Sequence, residues 1–309
     1  MPWASMYKIH RVDSAAAEGL EPLGTKQKFW FTDAQDQRVL FKAEARGTGE
    51  DWAEKVACEL STLLGLPHVH YELACDSANI PGVICVTCAP PPSALILGNQ
   101  LMFERDRNYP AACVHKYNVS EHTTAAVLNV VKNLRAPPSP WSDILPDAIT
   151  FPVEVFLGYV MLDAWIANQD RHHENWGALR INGELYLAPT FDHGASLARN
   201  LSDEERKKRM TSADKGYQLP SFAARARSAF YASEGQSRPM GTFDAFKSFS
   251  RSAPQAAKIW LQRLEAISET DVLAILARVP SHRISAIGRL FTSQLLAANR
   301  KTLLEDGLT

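Results

Sequence analysis

The sequence of 309 residues predicts an α+β fold with two lobes, a small β-rich N-terminal lobe with one helix and a larger helical C-terminal lobe. Two observations support this prediction. Short runs of β-branched and aromatic residues, separated by polar turns, dominate the first 95 residues, and this pattern is typical of strands. Beyond residue 104, apolar residues recur mainly at helical spacing. The hydrophobic content of 46% is enough for a sizeable core.

The N-terminal lobe is predicted to span residues 1–95. Lys28–Thr32 and Arg38–Lys42 are apolar runs on either side of a polar turn, which predicts an antiparallel pair of strands. Residues 50–64 then carry apolar side chains at helical spacing, and Gly65 stands where such a helix would end. Two further strands are predicted in this lobe, at residues 69–73 and 83–87.

Residues 96–103 are predicted to connect the lobes, and residues 104–309 to form the helical C-terminal lobe. Within it, an apolar stripe from Val153 to Ala167 predicts a buried helix. Ser202 and Glu205 have the spacing of a capping box, which predicts the start of another helix. The remaining helices are predicted over residues 123–134, 254–277 and 283–304.

The most informative pattern of the C-terminal lobe is a pair of acidic motifs separated by a turn. Asp170 is followed five residues later by Asn175, and Asp192 lies in the motif Phe-Asp-His-Gly at residues 191–194. Between them, Asn182–Gly183 is flanked by alternating apolar and polar residues. This is the strongest short-range signal for a hairpin, because both turn residues must adopt positive φ. A hairpin brings its ends together, so Asp170 and Asn175 should lie near Asp192.

Two carboxylates and an amide oxygen at one point form a hard-oxygen site, which suits Mg²⁺ that carries phosphates. Protein kinases place an Asp that receives the hydroxyl proton and an Asn five residues later in a catalytic loop, and a second metal-binding Asp beyond a hairpin. Here the corresponding loop is residues 168–177. By this analogy Asp170 is the candidate catalytic base, and Asn175 and Asp192 are the candidate metal ligands.

A phosphoryl-transfer site also needs a cation for the phosphates and backbone donors from a loop. Lys42, at the end of a strand, is the natural cation. It requires a carboxylate partner on the following helix, for which Glu54 and Glu59 are both candidates. The chain contains neither GxxxxGK[ST] nor GxGxxG. The best phosphate loop available is residues 23–28, which include Gly24, Thr25 and Lys26.

Composition and charge argue against a nucleic-acid-binding protein and against a membrane protein. The formal net charge of -1 offers no basic excess for direct nucleic-acid binding, and there is no polybasic tail for a membrane surface. Glu154 and Asp163 interrupt the longest apolar stretch, so no membrane span is expected. Five cysteines without scaffold spacing indicate a reducing, cytoplasmic location. Cys85 and Cys88 are interpreted as ordinary core thiols.

Together these segments resemble the HipA-like kinases, a bacterial Ser/Thr kinase family related to the phosphatidylinositol 3/4-kinases. The most specific match is Asn168–Gly177 with the downstream Phe191–Gly194. Weaker matches are spread along the chain, at residues 23–31, 40–42, 49–54, 64–67, 97–101, 187–190 and 196–197.

The resemblance implies a bilobal, protein-kinase-like fold and an ATP- and Mg²⁺-dependent transfer of the γ-phosphoryl group to a Ser or Thr hydroxyl of a protein. It implies that Lys42 binds the ATP phosphates and that Glu54 is its ion-pair partner. It also implies that Asp170 is the catalytic base and that Asn175 and Asp192 hold Mg²⁺.

Further implications concern the nucleotide and the partners. The adenine is expected near Leu97 and Asn99, and the loop at Gly24 is expected to cover the phosphates. His172 is expected to shape the catalytic loop or to reach phosphate oxygens. HipA-like kinases phosphorylate protein substrates and often act as toxins controlled by a DNA-binding antitoxin. A protein substrate, and a separate antitoxin or regulator, are therefore the partners that the resemblance suggests.

Three alternatives remain open at this point. The chain is also compatible with a nucleotide-binding pseudokinase that acts as an interaction module. Its acceptor is alternatively a lipid or a small molecule. A metal-dependent hydrolase is the third alternative, built from the two acidic residues and three histidines of the motifs, which are Asp170, His172, His173, Asp192 and His193.

Overall fold

The computed structural model describes residues 5–20, 28–44, 47–110 and 118–307. The strands are β1 (Ile9–Arg11), β2 (Gly19–Leu20), β3 (Lys28–Thr32), β4 (Arg38–Ala43), β5 (Glu72–Cys75), β6 (Pro81–Val86), β7 (Ala94–Leu97), β8 (Gly177–Ile181) and β9 (Glu184–Leu187). The helices are α1 (Glu50–Leu64), α2 (Gly98–Arg105), α3 (Thr124–Val131), α4 (Pro152–Trp165), α5 (Asp203–Thr211), α6 (Leu219–Ala223), α7 (Thr242–Ser250), α8 (Pro254–Ala266), α9 (Glu269–Ala277) and α10 (Ala286–Asp306). The predicted α+β fold, β-rich first and helical afterwards, is confirmed.

Six of the described strands form a mixed sheet in the order β1-β5-β6-β4-β3-β2. β1 runs parallel to β5, and the other neighbours are antiparallel. β3 and β4 form the predicted pair, with Phe29 opposite Phe41. Since β4 lies between β3 and β6, its residue Lys42 is carried by an interior strand. β5 and β6 lie a few residues from their predicted bounds.

Helix α1 packs on this sheet and spans the predicted residues 50–64. Gly49 and Gly65 adopt left-handed φ at its two ends, a conformation that the lack of Cβ makes accessible. Glu50 and Asp51 in its first turn complement the positive end of the helix dipole. The helix boundaries are therefore determined locally.

Arginines from the C-terminal lobe hold both ends of α1. Arg283 Nη1 lies 2.5 Å from Asp51 Oδ2 in the first turn, and Arg263 Nε donates to Leu64 O at 3.2 Å in the last turn. Charge-assisted hydrogen bonds of this kind are stronger than neutral ones. They fix α1, and with it Glu54, relative to the helical lobe.

A second sheet, β7-β8-β9, is antiparallel. β8 and β9 are the predicted hairpin, and both turn residues have positive φ, 50° at Asn182 and 84° at Gly183. β7 pairs with β8 so that Leu97 lies opposite Gly177. The hairpin is thus attached to a strand that precedes it by a long stretch of chain.

The predicted connector at residues 96–103 consists of the end of β7 and most of α2. The chain leaves the first sheet at Val86 and enters the second at Ala94, so residues 87–93 make the link. Local pattern missed β7 because a four-residue strand is defined by its partner, and that partner is distant in sequence.

Helix α4 is buried around most of its circumference, which explains its continuous apolar sequence. Each charge that interrupts this sequence has a partner. Glu154 accepts hydrogen bonds from the backbone N–H groups of Thr150 and Phe151, both at 2.9 Å, and so caps the helix start. Asp163 binds Arg171 of the following loop. Among the described helices, none is both long and apolar enough to cross a membrane.

Helices α5 and α10 follow the predictions, the predicted helical region at residues 254–277 is divided, and α6 and α7 lie where no element was predicted. Ser202 caps α5 as predicted, accepting from Glu205 N at 3.2 Å. Residues 254–277 form two helices rather than one, because Ser268 caps a new helix by accepting from Asp271 N at 3.1 Å. Both α8 and α9 pack against α10.

Candidate active site

Lys42 contacts two carboxylates that come from distant parts of the chain. Its Nζ lies 2.6 Å from Asp192 Oδ1 and 3.1 Å from Glu54 Oε2. Its side chain is only 11% exposed. Burial would lower the pKa of Lys42, but the Asp192 and Glu54 carboxylates raise it above its ordinary value. The lysine is therefore a fixed positive charge between α1 and the motif at residues 191–194.

Glu54 joins the two lobes. Its Oε1 accepts from His193 N at 2.7 Å, and its Oε2 accepts from Gly194 N at 3.2 Å and from Lys42. Burial would raise the pKa of Glu54, but Lys42 and the hydrogen bonding of His193 lower it below its ordinary value. A fully buried carboxylate is tolerated here because each oxygen has a donor.

Glu59 is directed elsewhere. Its carboxylate lies 2.8 Å from Lys55 and 3.7 Å from Arg278. Five residues correspond to about 140° around a helix at 3.6 residues per turn, so Glu54 and Glu59 cannot face the same lysine. Of the two sequence candidates, the structure places Glu54 beside Lys42.

The backbone at Asp192 has a φ of 59°, in the left-handed region that Asp and Asn enter more readily than most residues. Its N–H is directed at the Tyr71 hydroxyl, 3.4 Å away, and the Tyr71 ring lies 5.4 Å from Lys42 Nζ. The Asp192 side chain is 33% exposed, so it is reached from solvent while it holds the lysine. No local sequence signal marked Tyr71 as part of this arrangement.

A buried ion pair shapes the loop at residues 168–177. Arg171 donates to both oxygens of Asp163, through Nε at 2.8 Å and Nη2 at 2.7 Å, and its Nη1 donates to Asn175 O at 2.8 Å. Asn168 Nδ2 donates to the same carboxylate at 2.8 Å. This network was not predicted from the sequence, although an acidic residue inside an apolar helix is a usable signal for a buried partner.

This scaffold presents Asp170 and Asn175. Asn175 Nδ2 donates to Asp170 O at 2.6 Å, which orients the amide and leaves its Oδ1 as the acceptor atom. His172 Nδ1 accepts from Glu174 N at 3.1 Å, so the proton is assigned to Nε2, which lies 3.6 Å from Asp170 Oδ1. His172 therefore faces the candidate base.

A cleft of about 570 Å³ lies between the two sheets. Lys42, Asn175 and Asp192 line it together, so the β8–β9 hairpin places Asn175 and Asp192 in one cleft, whereas Asp170 is not among its lining residues. His172, Leu97 and Asn99 also line the cleft. Apolar or aromatic surface comes from further lining residues, which include Leu40, Tyr71, Val86, Leu95 and Phe191. The cleft thus combines an apolar wall with a charged, oxygen-rich end.

The backbone N–H groups from Leu97 to Asn99 all donate within the protein. Gly98 N and Asn99 N donate to the carbonyls of Trp176 and His173, both at 2.8 Å, and Leu97 N donates to Gln100 Oε1 at 3.3 Å. The donors at Gly98 and Asn99 tie α2 to the catalytic loop, whereas the donor at Leu97 bonds to α2 itself. Leu97 and Asn99 line the cleft together with residues of the link at 87–93, and the position of the adenine near them stays a prediction.

The candidate phosphate loop, with Gly24, Thr25 and Lys26, lies outside the described residues. Its flanks are β2 and β3, which are antiparallel neighbours at the edge of the first sheet. The loop's assignment stays a prediction.

Two buried histidines support the catalytic loop, His173 within it and His122 packed against it. His122 Nδ1 donates to Ala229 O at 3.0 Å, and its Nε2 accepts from Trp176 Nε1 at 3.1 Å. His173 Nδ1 lies 2.8 Å from the Tyr109 hydroxyl. Burial lowers the pKa of His122 to about 3 and that of His173 to about 4.

These shifts predict acid sensitivity. The unfolded chain takes up a proton at His122 near pH 6.5 and the folded chain does not, so this stabilisation is present above that pH and is lost as pH falls towards 3. Below pH 6.5, His122 should contribute a slope of at most about 1.4 kcal/mol per pH unit to the free energy of unfolding. Urea unfolding of wild type and His122→Gln at pH 7, 6 and 5 measures how the free energy of unfolding changes with pH in each protein. Equal slopes in the two proteins would contradict the assignment.

No family model and no curated protein matches the chain. Among solved structures, the proinflammatory kinase CtkA of Helicobacter pylori superposes with a TM-score of 0.70 and 18% sequence identity, over 96% of each chain. The chain has a kinase fold.

The HipA protein of Shewanella oneidensis, from a toxin–antitoxin system and in complex with HipB and operator DNA, also matches. Its TM-score is 0.54 at 10% identity, over 91% of this chain and 65% of that one. The resemblance to the HipA-like kinases is thus confirmed at the level of the fold.

Proposed function

We propose that the protein is an ATP- and Mg²⁺-dependent kinase that transfers the γ-phosphoryl group to a Ser or Thr hydroxyl of a protein. The observation that carries this proposal is the meeting of Lys42, Asn175 and Asp192 in one cleft. These residues come from β4 and from the two ends of the β8–β9 hairpin. The kinase fold supports the same conclusion independently.

The residues present fit Mg·ATP. The cleft volume of about 570 Å³ lies in the range of roughly 300–1,000 Å³ usual for small-molecule sites. Asn175 offers an amide oxygen and Asp192 a carboxylate, both hard-oxygen donors. When bound, Mg²⁺ would neutralise charge on the phosphate oxygens. The apolar residues of the opposite wall suit the adenine.

Each side chain then has a role in the transfer. The acceptor oxygen attacks the γ-phosphorus, the bond from that phosphorus to the oxygen bridging to ADP breaks, and the acceptor proton passes to the Asp170 carboxylate. Lys42, held by Glu54, supplies positive charge for the phosphates. His172 positions Asp170. Most of the rate enhancement would come from orientation and charge stabilisation.

The histidines argue against the hydrolase alternative. His173 Nδ1 is engaged by Tyr109, and His193 Nε2 lies 2.8 Å from Thr190 Oγ1 with Nδ1 towards Glu54. The His173 ring is held by Tyr109, and the His193 ring lies between Thr190 and Glu54. They do not converge with Asp170 on one point.

The function is tested by incubating the purified chain with γ-labelled ATP and Mg²⁺, with and without host lysate. Label on Ser or Thr of the chain or of a lysate protein is expected, and it should vanish with EDTA. Stabilisation by Mg·ATP without any transfer would instead favour the pseudokinase. Label in lipid or small molecules would move the acceptor to those classes. Since the HipA structure contains HipB, retention of a regulator from the lysate is a further readout.

Glu54→Gln is expected to reduce kcat/KM for transfer by about 10- to 100-fold, the cost usual for a residue that orients a ligating group. The change keeps the shape but removes the charge that holds Lys42 and faces the His193 and Gly194 N–H groups. Glu59→Gln, on the same helix but bound to Lys55, is the matched control and should keep full activity. Equal losses in both variants would contradict the role of Glu54.

A further inference from the structure

A second group of metal-binding side chains lies where α1 meets the extended segment that leads into β5. Cys58 is on α1, and His68 and His70 are on that segment. Within the part of the chain that the structure describes, this is the one group of three or more His, Cys, Asp or Glu residues whose ligand atoms all lie within 4.8 Å of one another. It is separate from the site described above.

The alternation of side chains along this extended segment explains why the two histidines are separated from the cleft. Successive side chains of extended backbone point to opposite sides. Val69 and Tyr71 line the nucleotide cleft, whereas His68 and His70 do not. The two histidines therefore share the other side of the segment, where Cys58 approaches from the helix.

Both imidazoles are already oriented as metal ligands are. His68 Nδ1 lies 2.7 Å from Leu66 O, and His70 Nε2 lies 2.7 Å from Glu72 Oε1. A metal-bound histidine usually donates its other ring N–H to a carbonyl or a carboxylate, which fixes the tautomer. The coordinating atoms are then Nδ1 of His70 and Nε2 of His68, which the Thr62 hydroxyl approaches at 3.2 Å and which metal binding would release from that contact.

The spacing of sulfur and nitrogen also fits. Cys58 Sγ lies 3.5 Å from His70 Nδ1. Bonds of about 2.3 Å to sulfur and about 2.0 Å to nitrogen at a tetrahedral angle would place these atoms about 3.6 Å apart. A small rotation of the partly exposed His68 ring would bring its Nε2 atom within coordinating distance of the same ion.

We propose that Cys58, His68 and His70 bind one transition-metal ion of the Zn²⁺ class, with solvent as the fourth ligand. One thiolate and two imidazoles form a donor set that Zn²⁺ and Co²⁺ prefer and that Mg²⁺ does not. The ion reaches the site from the side of His70, whose side chain is 60% exposed. Cys58, which is buried, closes the opposite side.

The ion would couple two segments that frame the active site. Cys58 follows Glu54 by about one helical turn on α1. The segment that carries the histidines is bound to residue 190 by Val69 N to Thr190 O and Thr190 N to Pro67 O, both at 2.9 Å. Thr190 immediately precedes the motif at residues 191–194. Metal binding should therefore raise the melting temperature of the whole chain.

The test is a Co²⁺ titration of the full chain after treatment with a chelator. One equivalent should produce the visible bands of a tetrahedral site together with a near-ultraviolet sulfur-to-cobalt charge-transfer band, and Zn²⁺ should displace it. Co²⁺ bound at Asn175 and Asp192 would lack the sulfur band. Asp192→Asn should therefore keep the signal.

Two variants and one control complete the design. Cys58→Ser should lose the sulfur band, and His70→Ala, a change at an exposed side chain that should not affect folding, should bind at least about tenfold more weakly. Cys75→Ser on the neighbouring strand should bind as wild type does. A wild type without the sulfur band, or a band that persists in Cys58→Ser, would overturn the proposal.

Discussion

Asp170→Asn is expected to lower the rate of phosphoryl transfer by about 10³-fold, within the range usual for removal of a general base. The amide keeps the size of the side chain but cannot accept the acceptor proton. The affinity for Mg·ATP should be nearly unchanged, because Asp170 orients the candidate metal ligand Asn175 through its backbone carbonyl, which the substitution keeps. Single-turnover transfer and nucleotide titration by calorimetry measure the two quantities separately.

Asp192→Asn is the informative comparison. Asp192 is both a candidate metal ligand and a partner of Lys42, so its loss should weaken Mg·ATP binding as well as transfer. Asp143→Asn, on an exposed turn, should change neither quantity. If Asp170→Asn folded as wild type does and kept normal turnover, the assignment of Asp170 as the catalytic base would be contradicted.

Asp163→Ala is expected to destabilise the folded chain by about 3–5 kcal/mol, the usual cost of breaking a buried ion pair from one side. The Arg171 guanidinium is only 1% exposed and donates twice to this carboxylate. Without the Asp163 carboxylate, the buried charge of Arg171 keeps only the carbonyl of Asn175 as a hydrogen-bond acceptor. Urea unfolding followed by tryptophan fluorescence measures the change.

The matched control for this variant is Glu305→Gln, which removes an exposed ion pair to Lys301. Surface pairs contribute little, so its urea midpoint should equal that of wild type. Asp163→Ala should also reduce transfer at temperatures where it remains folded, since the loop carrying Asp170 loses its anchor. An unchanged urea midpoint would show that Arg171 finds another acceptor.

Elements that depend on neighbouring residues could be predicted closely. The hairpin at Asn182–Gly183 follows from turn chemistry, because two successive positive φ values favour this dipeptide. The start of α5 follows from the side chain of Ser202, and the bounds of α1 follow from its flanking glycines. In each case the deciding interaction spans only a few residues.

Most residues of the candidate site were predicted from residue type and spacing, but the carboxylate partner of Lys42 was not. Asp170, Asn175, Asp192 and Lys42 were identified from residue type and spacing, and the structure brings the last three into one cleft. Helical periodicity alone did not choose between Glu54 and Glu59. The angle around α1 relative to Lys42 made the choice, and that angle depends on how the helix packs.

Residue type, turn chemistry and spacing were thus sufficient for the division into a β-rich and a helical part, for the β8–β9 hairpin and α1, and for the residue types of the cleft, because each of these is encoded over short stretches of chain. The pairing of β7 with β8, the ion pair of Asp163 with Arg171, and the meeting of Cys58 with His70 needed the folded molecule. Each of these contacts joins segments whose approach is set by packing of the whole chain, and no local pattern of side chains contains that information.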